Sequence, residues 1–215
     1  MTANDNAESR PRGVSADKRR AILAGGLTVF ARDGYSRASV DAIATAASVS
    51  TRTIYNHFHD KARLFQAVIQ ESATRVADAQ IDTIDRYLRK VTDLEEDLIE
   101  LGRALVAPMN GYAEHWALVR QIKADTEHIP QAAVDEWRSR GPMRVDAELA
   151  RRFELLAERG LMRIDDPGRA AEHFTLLVAG NDPLRGRGRD SGDEIPDAVT
   201  AGVHAFLYGY ASRPD

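Results

Sequence analysis

The stretch SVSTRTIYNHFHDK, Ser48–Lys61, is polar, yet it carries Ile54, Tyr55 and Phe58 and lies between two apolar segments. Ser50 has the residue type of a helix N-cap. At about 100° per residue, Ile54 and Phe58 fall on one side of the helix that starts there. Arg52, Tyr55 and Asn56 then point the other way, with Thr51 at the N-terminal tip. Upstream, Ser39 is a cap for a helix whose Val40, Ile43, Ala44 and Ala47 recur at i, i+3, i+4 and i+7. Two short helices joined by the break at Ser48–Ser50 form a helix-turn-helix, whose second helix can lie in a DNA major groove. Arg can pair with guanine O6 and N7, Asn can read adenine, and a Thr methyl can touch thymine.

Outward from this centre the pattern stays helical. Residues 1–14 are polar and rich in Asn, Arg and Pro, and read as a disordered arm. From Ser15 a first helix repeats Ile22, Gly26, Val29 and Phe30, and Gly34 supplies a left-handed end. Gly25 and Gly26 inside it each cost about 1 kcal/mol relative to Ala, which predicts another helix packed very close. Asp60 caps a fourth helix, with Leu64, Phe65, Val68 and Ile69 inward, running to about Lys90. Further helices are expected near 93–108, 112–128, 131–138, 142–159, 168–180 and 195–211, with Asp166-Pro167 as a clean start. Residues 181–194 have no apolar periodicity and read as a loop. The expectation is an all-α protein of about nine helices or more. A DNA-binding domain over 15–60 precedes a larger helical domain over 61–215.

Composition narrows the function. With 43% hydrophobic residues in 215, the chain can build a core, and no run approaches the length of a membrane span. The start has no apolar segment of a signal peptide. Zero Cys excludes disulfides, thiolate nucleophiles and Cys-based zinc sites, which fits a cytoplasmic protein. The net charge of −4 is uneven: residues 1–61 carry 9 Lys+Arg against 6 Asp+Glu (+3), leaving 20 against 27 (−7) for the rest. A basic front on an acidic body suits a protein whose front meets a polyanion.

From about Ser15 to Phe65 the chain resembles the TetR/AcrR-like family of regulators, a likeness carried by ILAGGLTVFARDGYSRASVDAIATAASVSTRTIYNHFHDKARLFQAVI. The likeness, about a quarter of the chain, rests on the first-helix pattern ending in Phe30 and Gly34-Tyr35. It rests also on Ser39-Val40-Asp41-Ala42-Ile43-Ala44, and on Thr53-Ile54-Tyr55 followed by His57-Phe58 and Lys61. It implies double-stranded DNA as partner, with Thr51, Arg52 and Asn56 facing bases. Tyr55, His57 and Lys61 would hold phosphates, Ser39 would bind phosphate at its helix N-terminus, and Thr53 would support that contact, beside the cap Ser50. One departure is Ser48, where the family's turn usually carries Gly; Ser adopts a left-handed backbone less readily.

The body then has two expected jobs. Val199, Val203, Phe206, Leu207 and Tyr210 form a stripe on the last helix. The preceding helix adds Ala171, Phe174, Leu177 and Val178. The resemblance implies that these two helices form a homodimer's four-helix bundle, with Phe174, Val178 and the stripe at the interface. It also implies an effector pocket in the middle of the chain. Met109, Tyr112, Trp116, Trp137, Phe153 and Phe174 suit its lining, and Asn110, His115 and Gln121 could orient a ligand. No cofactor, metal or catalytic set is expected. His57 and His59 diverge on their helix, as do the neighbours Glu114–His115 and Glu172–His173, and His128 near Asp125 reads as surface. The RGRGR run at 185–189 reads as a solvated loop. The reading is a ligand-responsive repressor; the alternative is an architectural or cell-division DNA-binding protein with a protein partner.

Overall fold

The computed structural model describes residues 12–107, 111–125, 127–179 and 194–210. They form ten helices: α1 (Arg12–Arg37), α2 (Val40–Ala46), α3 (Thr51–Phe58), α4 (Lys61–Leu88), α5 (Leu94–Val106), α6 (Ala113–Ala124), α7 (Gln131–Arg140), α8 (Pro142–Glu158), α9 (Pro167–Ala179) and α10 (Glu194–Tyr210). No strand occurs among the described residues. None of these helices is long and apolar enough to cross a membrane. The 181–194 loop and the RGRGR run lie outside the described residues, apart from Glu194, which opens α10.

Helix starts follow local capping chemistry. Ser39, Ser50, Asp60, Asp93 and Asp166 each accept a hydrogen bond from the backbone N–H three residues on, at 2.7–3.2 Å. Gly34 (φ 75°, ψ 174°) breaks the helical path of α1, and one further turn ends at Arg37.

The chain divides into two compact units. The first takes the chain through Ala73 and rejoins over Gly111–Trp137. Its core joins Ile22 and Phe30 of α1, Ile43 of α2, Ile54 and Phe58 of α3, and Leu64 and Phe65 of α4 to Leu118 and Ile122 of α6. The expected domain boundary at residue 61 therefore differs from the observed unit, because α6 and α7 pack on the head. Close approach explains the paired glycines. A Cβ on Gly25 would sit 2.9 Å from the Ala47 backbone nitrogen, and one on Gly26 would sit 2.8 Å from Val68 Cγ2.

The second unit takes Thr74 to residue 110 and Arg138 onward. Its centre is an aromatic trio, Phe153, Phe174 and Phe206, with ring centroids 5.3–5.5 Å apart. Val178, Val199 and Val203 are buried beside them, and Leu207 and Tyr210 pack half-buried on the same core. Of the expected dimer stripe, Phe174, Val178, Val199, Val203 and Phe206 are buried in their own chain, whereas Leu207 and Tyr210 keep part of their surface exposed. Periodicity reports that a face is buried, not what covers it. The large apolar side chains left exposed on these helices are Leu176 (59%) and Leu177 (43%) on α9 and Tyr208 (83%) on α10. On its other side the unit is held by Asp78–Arg144 at 2.8 Å and by Arg152, which bonds Glu148 at 2.8 Å and Asp85.

Candidate nucleic-acid interface

α3 is anchored by Ile54 and Phe58, 1% and 6% exposed, each worth about 1.5–3 kcal/mol of burial. With those two fixed inward, Arg52, Tyr55 and Asn56 are exposed, and Thr51, Thr53 and His57 are half-buried. The Ser50 hydroxyl serves the α3 N-terminus twice, accepting from Thr53 N–H at 3.2 Å and sharing a hydrogen bond with Thr53 Oγ1 at 2.9 Å. Ser39 Oγ accepts from Ala42 N–H at 3.1 Å, which leaves its own proton for an external oxygen.

The turn between α2 and α3 is a Schellman motif built without glycine. Val49 N–H donates to Ala44 O at 3.0 Å and Ser48 N–H to Thr45 O at 3.1 Å, with Ser48 at φ 54°. Ser48 thus occupies the position where glycine is favoured. A second strained residue closes α3: His59 (φ 63°, ψ −47°) is the centre of a tight turn in which Asp60 N–H donates to Phe58 O at 2.7 Å. Nothing in the sequence pattern marks His59 as strained.

Lys61, at the start of α4, does not hang free. Its Nζ donates to the Ser36 carbonyl at 3.2 Å and lies 4.8 Å above the Tyr35 ring, and burial lowers its pKa. The Ser36 hydroxyl in turn donates to Asp125 Oδ2 at 2.9 Å, and Asp125 Oδ1 bonds His128 Nδ1 at 2.6 Å. These two hydrogen bonds, with Ser36 first, hold the Asp125 carboxyl below its ordinary range. His128 is exposed, as expected, and its ring is engaged by Asp125. The chain Ser36–Asp125–His128 places the carboxylate in the middle, whereas acyl transfer needs the imidazole there. Arg19 of α1 is a further cation at the reading head, its guanidinium 5.7 Å over the Phe58 ring. The basic run Lys18-Arg19-Arg20 was its signal in the sequence. No group of three potential ligands for a metal ion occurs among the described residues, His57 and His59 included.

The expected pocket residues fall in both units. Met109 and Asn110 lie outside the described residues. Tyr112 precedes α6, half-buried, and Gln121 lies against Gly34, with Oε1 3.0 Å from where a Cβ there would be. Trp137 packs half-buried on the first unit's core, and Trp116 meets His115 edge to face at 5.0 Å. Phe153 and Phe174 have no exposed surface and fill space against each other, so as lining residues they are corrected to core.

Comparison with known proteins fits this geometry. Residues 22–68 match the family "Bacterial regulatory proteins, tetR family", and residues 96–212 match "AefR-like transcriptional repressor, C-terminal domain". The HTH-type transcriptional repressor AcnR of Corynebacterium glutamicum is 39% identical over 162 residues, covering 75% of this chain and 78% of that protein. A TetR-family transcriptional regulator from Mesorhizobium loti superposes with a TM-score of 0.82 at 32% identity, over 94% of this chain and 100% of that one. The flavonoid-responsive regulator FrrA superposes at 0.66 with 27% identity, over 93% and 100%. The chain belongs to the TetR family of DNA-binding transcriptional regulators, a non-enzymatic family, with an AefR-like C-terminal domain.

Proposed function

We propose that this regulator is a repressor that binds a two-fold symmetric DNA site as a homodimer and leaves it when a small apolar or amphipathic molecule binds the body. The observation that carries the DNA reading is the outer face of α3, where Arg52, Tyr55 and Asn56 are exposed while Ile54 and Phe58 are locked inward. Arg52 and Asn56, with Thr51 at the tip, supply base contacts. Tyr55, His57, Lys61 and the capping hydroxyls of Ser39 and Ser50 supply phosphate contacts, with Thr53 holding Ser50. Lys61 has two N–H donors left after its bond to Ser36, enough for a phosphate oxygen.

The partner in the dimer is a second copy, seated on the face that carries Leu176, Leu177 and Tyr208. These are the large apolar side chains that α9 and α10 leave exposed, and apolar side chains of this size suit an interaction surface. Similarity to repressors supports repression, and the likeness to a flavonoid-responsive regulator supports a small-molecule signal. Selection of bound sites from random DNA tests the reading. It should return a palindrome with half-sites about 34–36 Å apart or at another groove-matched spacing. Equal competition by random DNA, with negligible salt dependence, would end it.

A further inference from the structure

The last turn of α1, Tyr35–Arg37, follows the break at Gly34 and is held by two other helices. From α4, Lys61 Nζ donates to the Ser36 carbonyl at 3.2 Å and lies 4.8 Å above the Tyr35 ring. From the end of α6, Asp125 Oδ2 accepts the Ser36 hydroxyl at 2.9 Å. The other carboxylate oxygen bonds His128 Nδ1 at 2.6 Å, so both oxygens are taken and the group is fixed in orientation. Asp125 is the C-cap of α6. That end of a helix is the negative end of its dipole, where cations are favoured and a carboxylate is not. Local helix chemistry therefore does not account for Asp125, whereas its contact with Ser36 does. Fastening α1 to α6 is served elsewhere as well: Thr28 Oγ1 donates to Glu114 Oε1 at 2.8 Å near the start of α6.

We infer that Asp125 is a positioning residue for DNA binding: through Ser36 it fixes the carbonyl that holds the Lys61 ammonium ready for a phosphate, an inference that rests on the reading of Lys61 as a phosphate contact. A lysine side chain gives up much rotamer freedom when its ammonium is held, and binding is tighter where that ordering is complete before the partner arrives. The Ser36 carbonyl supplies the hold, and it does so only while the turn past Gly34 stays within reach of α4. Asp125 touches no phosphate itself. Its charge and that of Asp33 repel one, and the nearby Arg37 guanidinium helps to hold both carboxyls below their ordinary range. Removing the Asp125 charge alone strengthens DNA binding, whereas removing its hydrogen bond to Ser36 weakens it. The two effects have opposite signs, so they can be told apart.

The test compares Asp125→Asn with Asp125→Ala in the full-length protein, by fluorescence anisotropy on a random-sequence DNA duplex over a salt series. Both variants lose the charge, and only Asn keeps an oxygen that can accept the Ser36 hydroxyl. Asp125→Asn should bind about fivefold tighter than Asp125→Ala, the size of a coupling within one hydrogen-bond network. Combined with Lys61→Met, the two should bind alike. Glu114→Gln and Glu114→Ala, the same pair of changes at the other α1–α6 bond, should also bind alike. Equal binding by the two Asp125 variants, a gap that survives Lys61→Met, or a gap of the same size at Glu114 overturns the inference. If Asp125→Ala does not fold, Ser36→Ala takes its place: it removes the same bond, keeps the carbonyl, and should lose about fivefold against wild type but nothing in the Lys61→Met background. The salt slope of Lys61→Met separates the two readings. A slope unchanged from wild type removes Lys61 as a phosphate contact and the role of Asp125 with it. A slope lower by about 0.9, with no gap between the Asp125 variants, keeps Lys61 and sinks Asp125 alone.

Discussion

Replacing Gly25 by Ala pits two effects of opposite sign against each other. The methyl improves helix propensity by about 1 kcal/mol. It also places a carbon 2.9 Å from the Ala47 backbone nitrogen, 3.1 Å from Ala47 Cβ and 3.2 Å from the Ala46 carbonyl carbon. Comfortable contacts lie near 3.5–4.0 Å, so α2 must retreat by roughly 0.5–1 Å. The obstacle is backbone, and that backbone closes the Schellman turn that aims α3, so no rotamer change relieves it. Overpacking of this kind costs about 1–3 kcal/mol, which outweighs the propensity gain. The net expectation is a loss of up to about 2 kcal/mol, or a few degrees in Tm. Operator affinity should fall about tenfold, because α3 moves with α2. Gly26→Ala is the control, since its methyl meets the Val68 side chain at 2.8 Å. It should lose stability without a matching loss of DNA binding. Urea unfolding by circular dichroism and fluorescence anisotropy on operator DNA measure both quantities. A Gly25→Ala protein as stable as wild type and binding equally well would refute the close-approach argument.

Five other substitutions have expected outcomes in the same geometry. Arg52→Ala should cost about 1–3 kcal/mol of operator binding and relax preference at one base pair per half-site, whereas Lys61→Ala should weaken all sequences alike and lower the salt slope by about 1; binding selections over a salt series check both. Ser48→Gly should stabilise the protein by up to about 1 kcal/mol in chemical denaturation, since φ 54° suits glycine. His115, neutral and buried, has a folded pKa of about 4 against 6.5 unfolded, so the stability from its neutral form is complete above pH 6.5 and is lost as pH falls towards 4. That window is worth about 3 kcal/mol, and His115→Gln should remove it from the pH dependence of unfolding. Leu177→Glu, on the exposed α9–α10 face, should give monomers in light scattering, and a wild type that is monomeric at micromolar concentration removes the dimer proposal.

What the sequence determined by itself was local. Caps at Ser39, Ser50, Asp60 and Asp166 reach only three residues along the chain, so residue type and position suffice to place them. The inward pair Ile54 and Phe58 follows in the same way from helical period, and the strain at Ser48 from the family resemblance, whose turn usually carries Gly there. Close packing at Gly25 was legible too, because glycine inside a helix demands a reason. Tertiary structure alone decided which surface covers each apolar stripe. The α10 stripe meets Phe153 and Phe174 of its own chain, and a moment along one helix carries no information about its neighbour. Nor could spacing reveal that Ser72 meets His115 across 43 residues, or that Ser36 holds Lys61 with one group and Asp125 with another. Those contacts join residues far apart in sequence, and only folding brings their atoms within hydrogen-bonding reach.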